Sequence, residues 1–309
     1  MALLTTLCLS ACAALPRSPA PGVELTSVAF HPQDAYQCGP ASLASLLNDA
    51  GVDVTPEALR PEVYIPARQG SLQAELLAAA RRHDRLPYVI DPDTRALRQQ
   101  LDAGHPVLVL QNFGSRSMPV WHYAVVVGYE AGARAWLLRS GATPRQRLVA
   151  RRFEASWDRA DRFGFVLARP GEIPAGAAPT RYLAAANGLE AAGRQDAAAR
   201  AYAAAMARWP DDPAAAFAYA GTQITAGDMT GAESTYRTLL GTTPRYTAAR
   251  NNLALLLARR NCLAAAGREL DTARHSDTGQ FTGDIADTAR QIADLAAAGR
   301  PDDTSCPAP

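Results

Sequence analysis

The sequence predicts an α+β domain with a mostly antiparallel sheet, followed by an all-α domain of repeated helical hairpins. Three observations predict it. In the first half, helical segments come early and a series of short β-type runs follows, separated by Gly, Pro and charged turns. Beyond about residue 180 the chain is almost wholly helix-forming and rich in alanine. Within that second half the same residue types recur at a spacing of 34. A length of 309 residues suits two domains, and 48% apolar residues is enough to build a core in each.

The chain opens with MALLTTLCLSACAALPRSPAPG. Its apolar stretch, Ala2 to Leu9, is too short to span a bilayer and has the length of a signal-peptide core. The tetrad Leu9-Ser10-Ala11-Cys12 resembles a bacterial lipobox, although no basic residue precedes the apolar stretch. That resemblance implies Cys12 as the lipid-bearing residue. With Ala13 rather than aspartate behind it, the resemblance further implies an outer-membrane lipoprotein facing the periplasm. PRSPAPG reads as a flexible tether. Of the five cysteines, Cys8 would leave with the signal peptide and Cys12 would take the lipid. Exported chains tend to pair their thiols. Cys262 and Cys306, both in the C-terminal half, are the natural pair, which leaves Cys38 free.

Residues 23–170 form the expected first domain. CGPASLASLLNDAG reads as a helix that begins near Gly39-Pro40 and stops at Gly51. SLQAELLAAARRH reads as a second, with Ser71 as N-cap, Glu75 in the first turn and arginines in the last. The β-type runs are LPYVI, PVLVLQN, WHYAVVVGY, AWLLRS, QRLVARRF and FGFVLARP. A Pro/Gly/Ala-rich linker occupies 171–180, and 301–309 is a tail.

Between them, 181–300 repeats. Gly193 aligns with Gly227, Tyr202 with Tyr236, Pro210 with Pro244 and Ala220 with Ala254. Asn261 continues the glycine series in a third, degenerate unit, and a capping helix is expected near Phe281 to Ala298. This period, with an aromatic in the second helix and a closing proline, resembles the tetratricopeptide repeat. Each such unit buries its apolar face by stacking on the next. The resemblance implies a concave surface for a protein partner; a purely structural spacer is the alternative.

Bulk charge excludes some functions. The net charge is +1, all basic residues are arginine, and no polybasic run exists, so no nucleic-acid partner is expected. No His/Cys cluster has metal-ligand spacing and no phosphate-cradling glycine loop appears, so neither metal nor cofactor is expected.

The residues that suggest chemistry are Cys38 and His122. A cysteine at a helix N-terminus sits where unpaired N–H groups and the helix dipole favour thiolate. Gly39 leaves backbone room for a substrate, and Pro40 suits a first helical turn. A thiol nucleophile also needs a base. Of the five histidines, His31 lies in a loop, His83 at a charged helix end, His105 in a Gly-His-Pro turn and His275 among the repeats. His122 begins the strongest strand, where it is either a rigid base facing a cleft or a satisfied half-buried residue.

QDAYQCGPASLASLL followed by WHYAVVVGY resembles the bacteriocin-processing, double-glycine-leader cysteine peptidases and their papain-like relatives. It is closer still to exported lipoproteins that join such a domain to tetratricopeptide repeats. The resemblance covers Leu25 to Pro170 and Thr180 to Gly299. It implies a papain-like α+β fold with Cys38 as nucleophile and His122 as general base. Gln33, five residues before Cys38 where the family pattern has six, is implied as oxyanion donor, with Gln37 its substitute. Arg139 and Ser140 stand where the family carries Asp-Pro. Arginine cannot accept a hydrogen bond from imidazole. Ser140, a backbone carbonyl or Asn112 is left to orient the ring. The expected function is a membrane-anchored cysteine peptidase with repeats that recruit a protein substrate or partner. The alternatives are a catalytically silent envelope scaffold, and acyl or amide transfer by the same pair.

Overall fold

A computed structural model describes residues 22–32, 37–130, 132, 134–298 and 306. The first domain is built from β1 (Val23–Glu24), α1 (Cys38–Asp49), α2 (Pro56–Val63), α3 (Gln73–Arg82), β2 (Leu86–Val89), α4 (Thr94–Asp102), β3 (Val107–Asn112), β4 (Trp121–Tyr129), β5 (Ala135–Ser140), β6 (Thr143–Val149), α5 (Ala150–Asp158) and β7 (Gly164–Ala168). The strands form one sheet in the order β2-β7-β3-β4-β5-β6, with β1 added against β4. Every pairing is antiparallel.

Strand alternation divides the core in two. On β3, Leu108 and Leu110 face the layer of α1, α2 and α3, where Leu43, Leu47, Leu59 and Leu76 are fully buried. Val107 and Val109 face the other side, with α4, α5 and the first repeat helices. Each of these side chains contributes roughly 1.5–3 kcal/mol on burial. A one-residue slip of β3 would exchange the two faces.

Two local expectations are corrected. Ser71 is not an N-cap: Leu72 holds that position and makes no side-chain capping bond. The run QRLVARRF is strand only to Val149, and Ala-Arg-Arg-Phe opens α5 instead. Phe153, Ser156 and Trp157 are the buried residues of α5, and their i, i+3, i+4 spacing is that of one helix face. The first domain also contains α2 and α4, with Thr55 and Asp93 as their side-chain N-caps.

The second domain comprises α6 (Pro179–Ala191), α7 (Gln195–Arg208), α8 (Pro213–Thr225), α9 (Met229–Thr242), α10 (Thr247–Arg259), α11 (Leu263–Ser276) and α12 (Thr282–Ala297). First helices start at 179, 213 and 247, and second helices at 195, 229 and 263, so the step is 34 throughout. The third unit is therefore a complete hairpin. Gly193, Gly227 and Asn261 all take left-handed φ, at 74°, 81° and 64°, in the turn after each first helix. Glycine meets that requirement without strain, and asparagine is the common substitute. Tyr202, Tyr236 and Leu270 fill equivalent buried positions.

The segment between the domains is tied down rather than free. Gln100 Nε2 donates to the Ala175 carbonyl at 2.6 Å, and the Ala178 N–H donates to the Tyr88 hydroxyl at 3.1 Å. Arg194 makes a two-pronged contact with Asp84, both bonds 2.6 Å. Tyr182, Ala186 and Tyr202 share one continuous core with Tyr88, Leu97 and Trp136.

Candidate active site

The site forms where the N-terminus of α1 meets the start of β4. Cys38 is the first residue of α1, and Gln37, its N-cap, makes no side-chain capping bond. Backbone N–H groups of Cys38, Gly39 and Tyr123 act on the sulfur. Tyr123 follows His122, so the sulfur lies beside the peptide that joins the two. Gly39 is required here, because a Cβ on it would lie 2.3 Å from Ser71 Oγ and 2.6 Å from Ser71 Cβ. The Ser71 hydroxyl is itself buried without a partner among the described residues, and the Ser71 carbonyl accepts from the Tyr123 hydroxyl at 3.3 Å.

On the adjoining strand, Ser140 closes β5. Its Oγ lies 2.8 Å from His122 Nε2, and Ser140 is 5% exposed. In the tautomer that carries its proton on Nε2, the imidazole donates to this hydroxyl and Nδ1 is left as a base. Phe113, just past the end of β3, stacks on the ring at a centroid distance of 5.2 Å and an interplanar angle of 27°. His122 is thus held at its edge and on one face.

The other named groups are engaged elsewhere. Asn112 does not orient the imidazole: its Oδ1 accepts from the Gly114 and Val120 N–H groups, and its Nδ2 donates to the Ser115 carbonyl. It is consumed in closing the β3–β4 hairpin. Arg139 alternates with Ser140 along β5 and does not bond the imidazole: it donates to the carbonyls of Val28, Pro144 and Thr26. His31 bonds Asn48 Oδ1 at 2.8 Å, His83 lies 3.1 Å from Glu62, His105 lies 3.5 Å from Glu172, and His275 bonds the Asp271 carbonyl. Gln33 and Cys12 lie outside the described residues. Cys262 and Cys306 are joined in a disulfide, and Cys38 is the free cysteine among the described residues.

Electrostatics correct the expectation of a stabilised thiolate. Burial raises the Cys38 thiol above its ordinary range and outweighs the backbone N–H groups that favour thiolate. Burial also lowers the His122 imidazole. Both shifts favour the uncharged forms, thiol and imidazole. Among the described residues, no group of three or more His, Cys, Asp or Glu could hold a metal ion.

Residues that the sequence did not single out are Phe113, which covers the ring, and Tyr123, whose backbone N–H favours the Cys38 thiolate. Phe113 carried a usable signal, since it directly follows the strand that pairs Gln111 with His122.

Residues 25–164 match the Peptidase_C39 like family, and residues 189–256 match the tetratricopeptide repeat family. Among solved structures, a putative C39-like peptidase from Bacillus anthracis is 16% identical. The match covers 48% of this chain and 98% of that one, with a TM-score of 0.41. The type III secretion translocator chaperone SycD of Yersinia enterocolitica is 13% identical over 38% of this chain and 83% of its own, with a TM-score of 0.36. The first tetratricopeptide domain of human RPAP3 is 18% identical over 39% of this chain and 93% of its own, also at 0.36. No curated protein sequence matches the chain.

Proposed function

We propose that this chain, which joins a domain of the C39-like peptidase family to tetratricopeptide repeats, hydrolyses peptide bonds through Cys38 and His122. The observation that carries the proposal is the arrangement around His122. Ser140 fixes Nε2, Phe113 covers one face of the ring, and the Cys38 sulfur lies beside the His122–Tyr123 peptide.

In this mechanism the Cys38 sulfur attacks the scissile carbonyl carbon while His122 Nδ1 takes the thiol proton. The neutral resting pair means that charge separation develops during attack. The oxyanion is met by the Cys38 backbone N–H, with Gln33 as the side-chain donor. Collapse breaks the C–N bond, and the imidazolium protonates the departing amine. Water, deprotonated by His122, then attacks the thioester carbon and restores the thiol. Ser140 supplies orientation without charge, which suits a slow or substrate-gated enzyme. The hairpin that carries Phe113 also exposes Met118, Val120 and Trp121, an apolar rim for substrate side chains.

The repeats bring a protein substrate or partner to the site. The chain is proposed to act in the bacterial cell envelope, anchored at Cys12; the lipobox-like tetrad and the Cys262–Cys306 disulfide support that reading. Among the described residues no helix is long and apolar enough to cross a membrane.

A second reading is a catalytically silent binding protein. The raised thiol, the lowered imidazole and the serine in place of a carboxylate favour it. A peptide-library digest separates the two. The full chain should generate new peptide N-termini that Cys38→Ala and His122→Ala chains do not. Identical digests from all three would leave the silent reading.

A further inference from the structure

In this chain the surface shared by α8, α10 and α12 is chemically distinct. A cavity of about 420 Å³ opens between α8, α10 and α12. Phe217 and Phe281 stand among its walls, with Asn251, Asn252, Asp284 and Asp287. The repeat step shows what has changed. The position held by Leu183 and Phe217 in the first two units is Asn251 in the third, and the position of Ala184 and Ala218 is Asn252. Two apolar positions have become amides only where the cavity lies.

Asn251 is 7% exposed, and its Oδ1 is buried with no hydrogen-bond partner among the described residues. An unmet buried acceptor is destabilising, so an apolar residue would serve the fold better. Asn252 donates to the Tyr236 hydroxyl at 3.2 Å, which fixes that amide in place. On the facing helix, Asp284 has no ion-pair partner among the described residues, and Asp287 is countered by exposed Arg290. Among the described residues, no cationic side chain lines the cavity. The wall therefore offers negative charge, two aromatic rings and a buried amide oxygen with no partner among the described residues.

We propose that this cavity binds a peptide segment of a partner protein through an arginine or lysine side chain. The alkyl stem lies between Phe217 and Phe281, where cation–π attraction adds to packing. The charged head meets Asp284 and Asp287. Asn251 Oδ1 accepts a main-chain N–H of the same segment. The proposal names the partner chemistry for the repeats and does not rest on catalysis at Cys38.

The test uses the full chain carrying Cys38→Ala, so that binding is read without turnover. The probes are a fluorescein-labelled alanine-rich peptide with two arginines and its twin with citrulline, which keeps the shape and removes the charge. The arginine peptide should saturate, weaken with added salt, and bind at least tenfold more tightly than the twin. Asp284→Asn and Asn251→Ala should each weaken it by roughly threefold to thirtyfold while thermal midpoints hold. Equal affinity for the two peptides, no saturation, or binding unaffected by both substitutions would overturn the proposal. So would a groove closed by a second copy of the chain, seen as concentration-dependent dimerisation that the peptide does not reverse.

Discussion

Replacing Ser140 with aspartate should turn a neutral pair into an ion pair. Ser140 Oγ lies 2.8 Å from His122 Nε2. A carboxylate oxygen at that distance would attract an imidazolium by about 6 kcal/mol at an effective dielectric constant near 20. Desolvation of a carboxylate at a site that is 5% exposed offsets several kcal/mol of this. The surplus is a rise of about 1–3 units in the imidazole pKa, or ~1.4–4 kcal/mol. Because His122 now titrates below its ordinary value, the rise should carry it back through that range. The protonated ring would then stabilise the Cys38 thiolate. Two assays read this: imidazole NMR titration of His122, and the pH dependence of Cys38 alkylation by iodoacetamide. Alkylation at neutral pH should increase at least tenfold in Ser140→Asp. Ser140→Ala keeps the pair neutral but frees the ring, and should lower turnover by roughly tenfold to a hundredfold, with alkylation little changed. A folded Ser140→Asp chain whose titration and alkylation match the parent would refute the assignment of Ser140 as the group that fixes the imidazole.

Other outcomes follow from the same geometry. The pH–rate profile of the parent should be bell-shaped. Its acid limb should fall below the ordinary histidine range, because burial lowers His122, and its alkaline limb above the ordinary thiol range, because burial raises Cys38. Folding stability should decline as pH drops through the unfolded histidine value near 6.5, since the unfolded chain binds that proton more readily; chemical denaturation of the His122→Gln chain should show a flatter dependence there. Gly39→Ala should displace Ser71 and destabilise the site, while adding Ser71→Gly should recover stability, with a coupling of about 0.5–3 kcal/mol in a double-mutant cycle. The cysteines at 262 and 306 close a long loop, so Cys306→Ser should cost the repeat domain up to ~4 kcal/mol by denaturant titration. A chain ending before α6 should aggregate or melt early by calorimetry, because removing Tyr182, Ala186 and Tyr202 uncovers Tyr88 and Leu97.

Much of this architecture was legible from residue type and spacing. The helix beginning at Cys38 was announced by Gly-Pro and an apolar run, and the Gly193, Gly227, Asn261 series named three turns that need left-handed φ. What was hidden depended on neighbours distant in the chain. Ser71 looks like a cap because serine at a helix start usually is one. Its actual place, against Gly39, is set by the packing of α3 on α1. Asn112 and Ser140 are both polar residues at strand ends, and only the resemblance, which puts Ser140 where the family carries Asp-Pro, favours Ser140 in the sequence. The hairpin claims Asn112 because two N–H groups at its neck have to be satisfied, and Ser140 is left facing His122. The helix dipole at Cys38 was visible, but the depth of burial that opposes it was not. The start of α5 is hidden because QRLVARRF has β-type content, while the i, i+3, i+4 set of Phe153, Ser156 and Trp157 that marks a helix lies mostly beyond its end.

The account stands on a covalent step at Cys38, and the most direct measurement is an acid-quenched mass spectrum of the full chain during turnover of a peptide substrate. A thioester adduct should appear on the peptide containing Cys38, be absent in the Cys38→Ala chain, and form far more slowly in His122→Ala. Cleavage that proceeds with no adduct and survives Cys38→Ala would contradict the account.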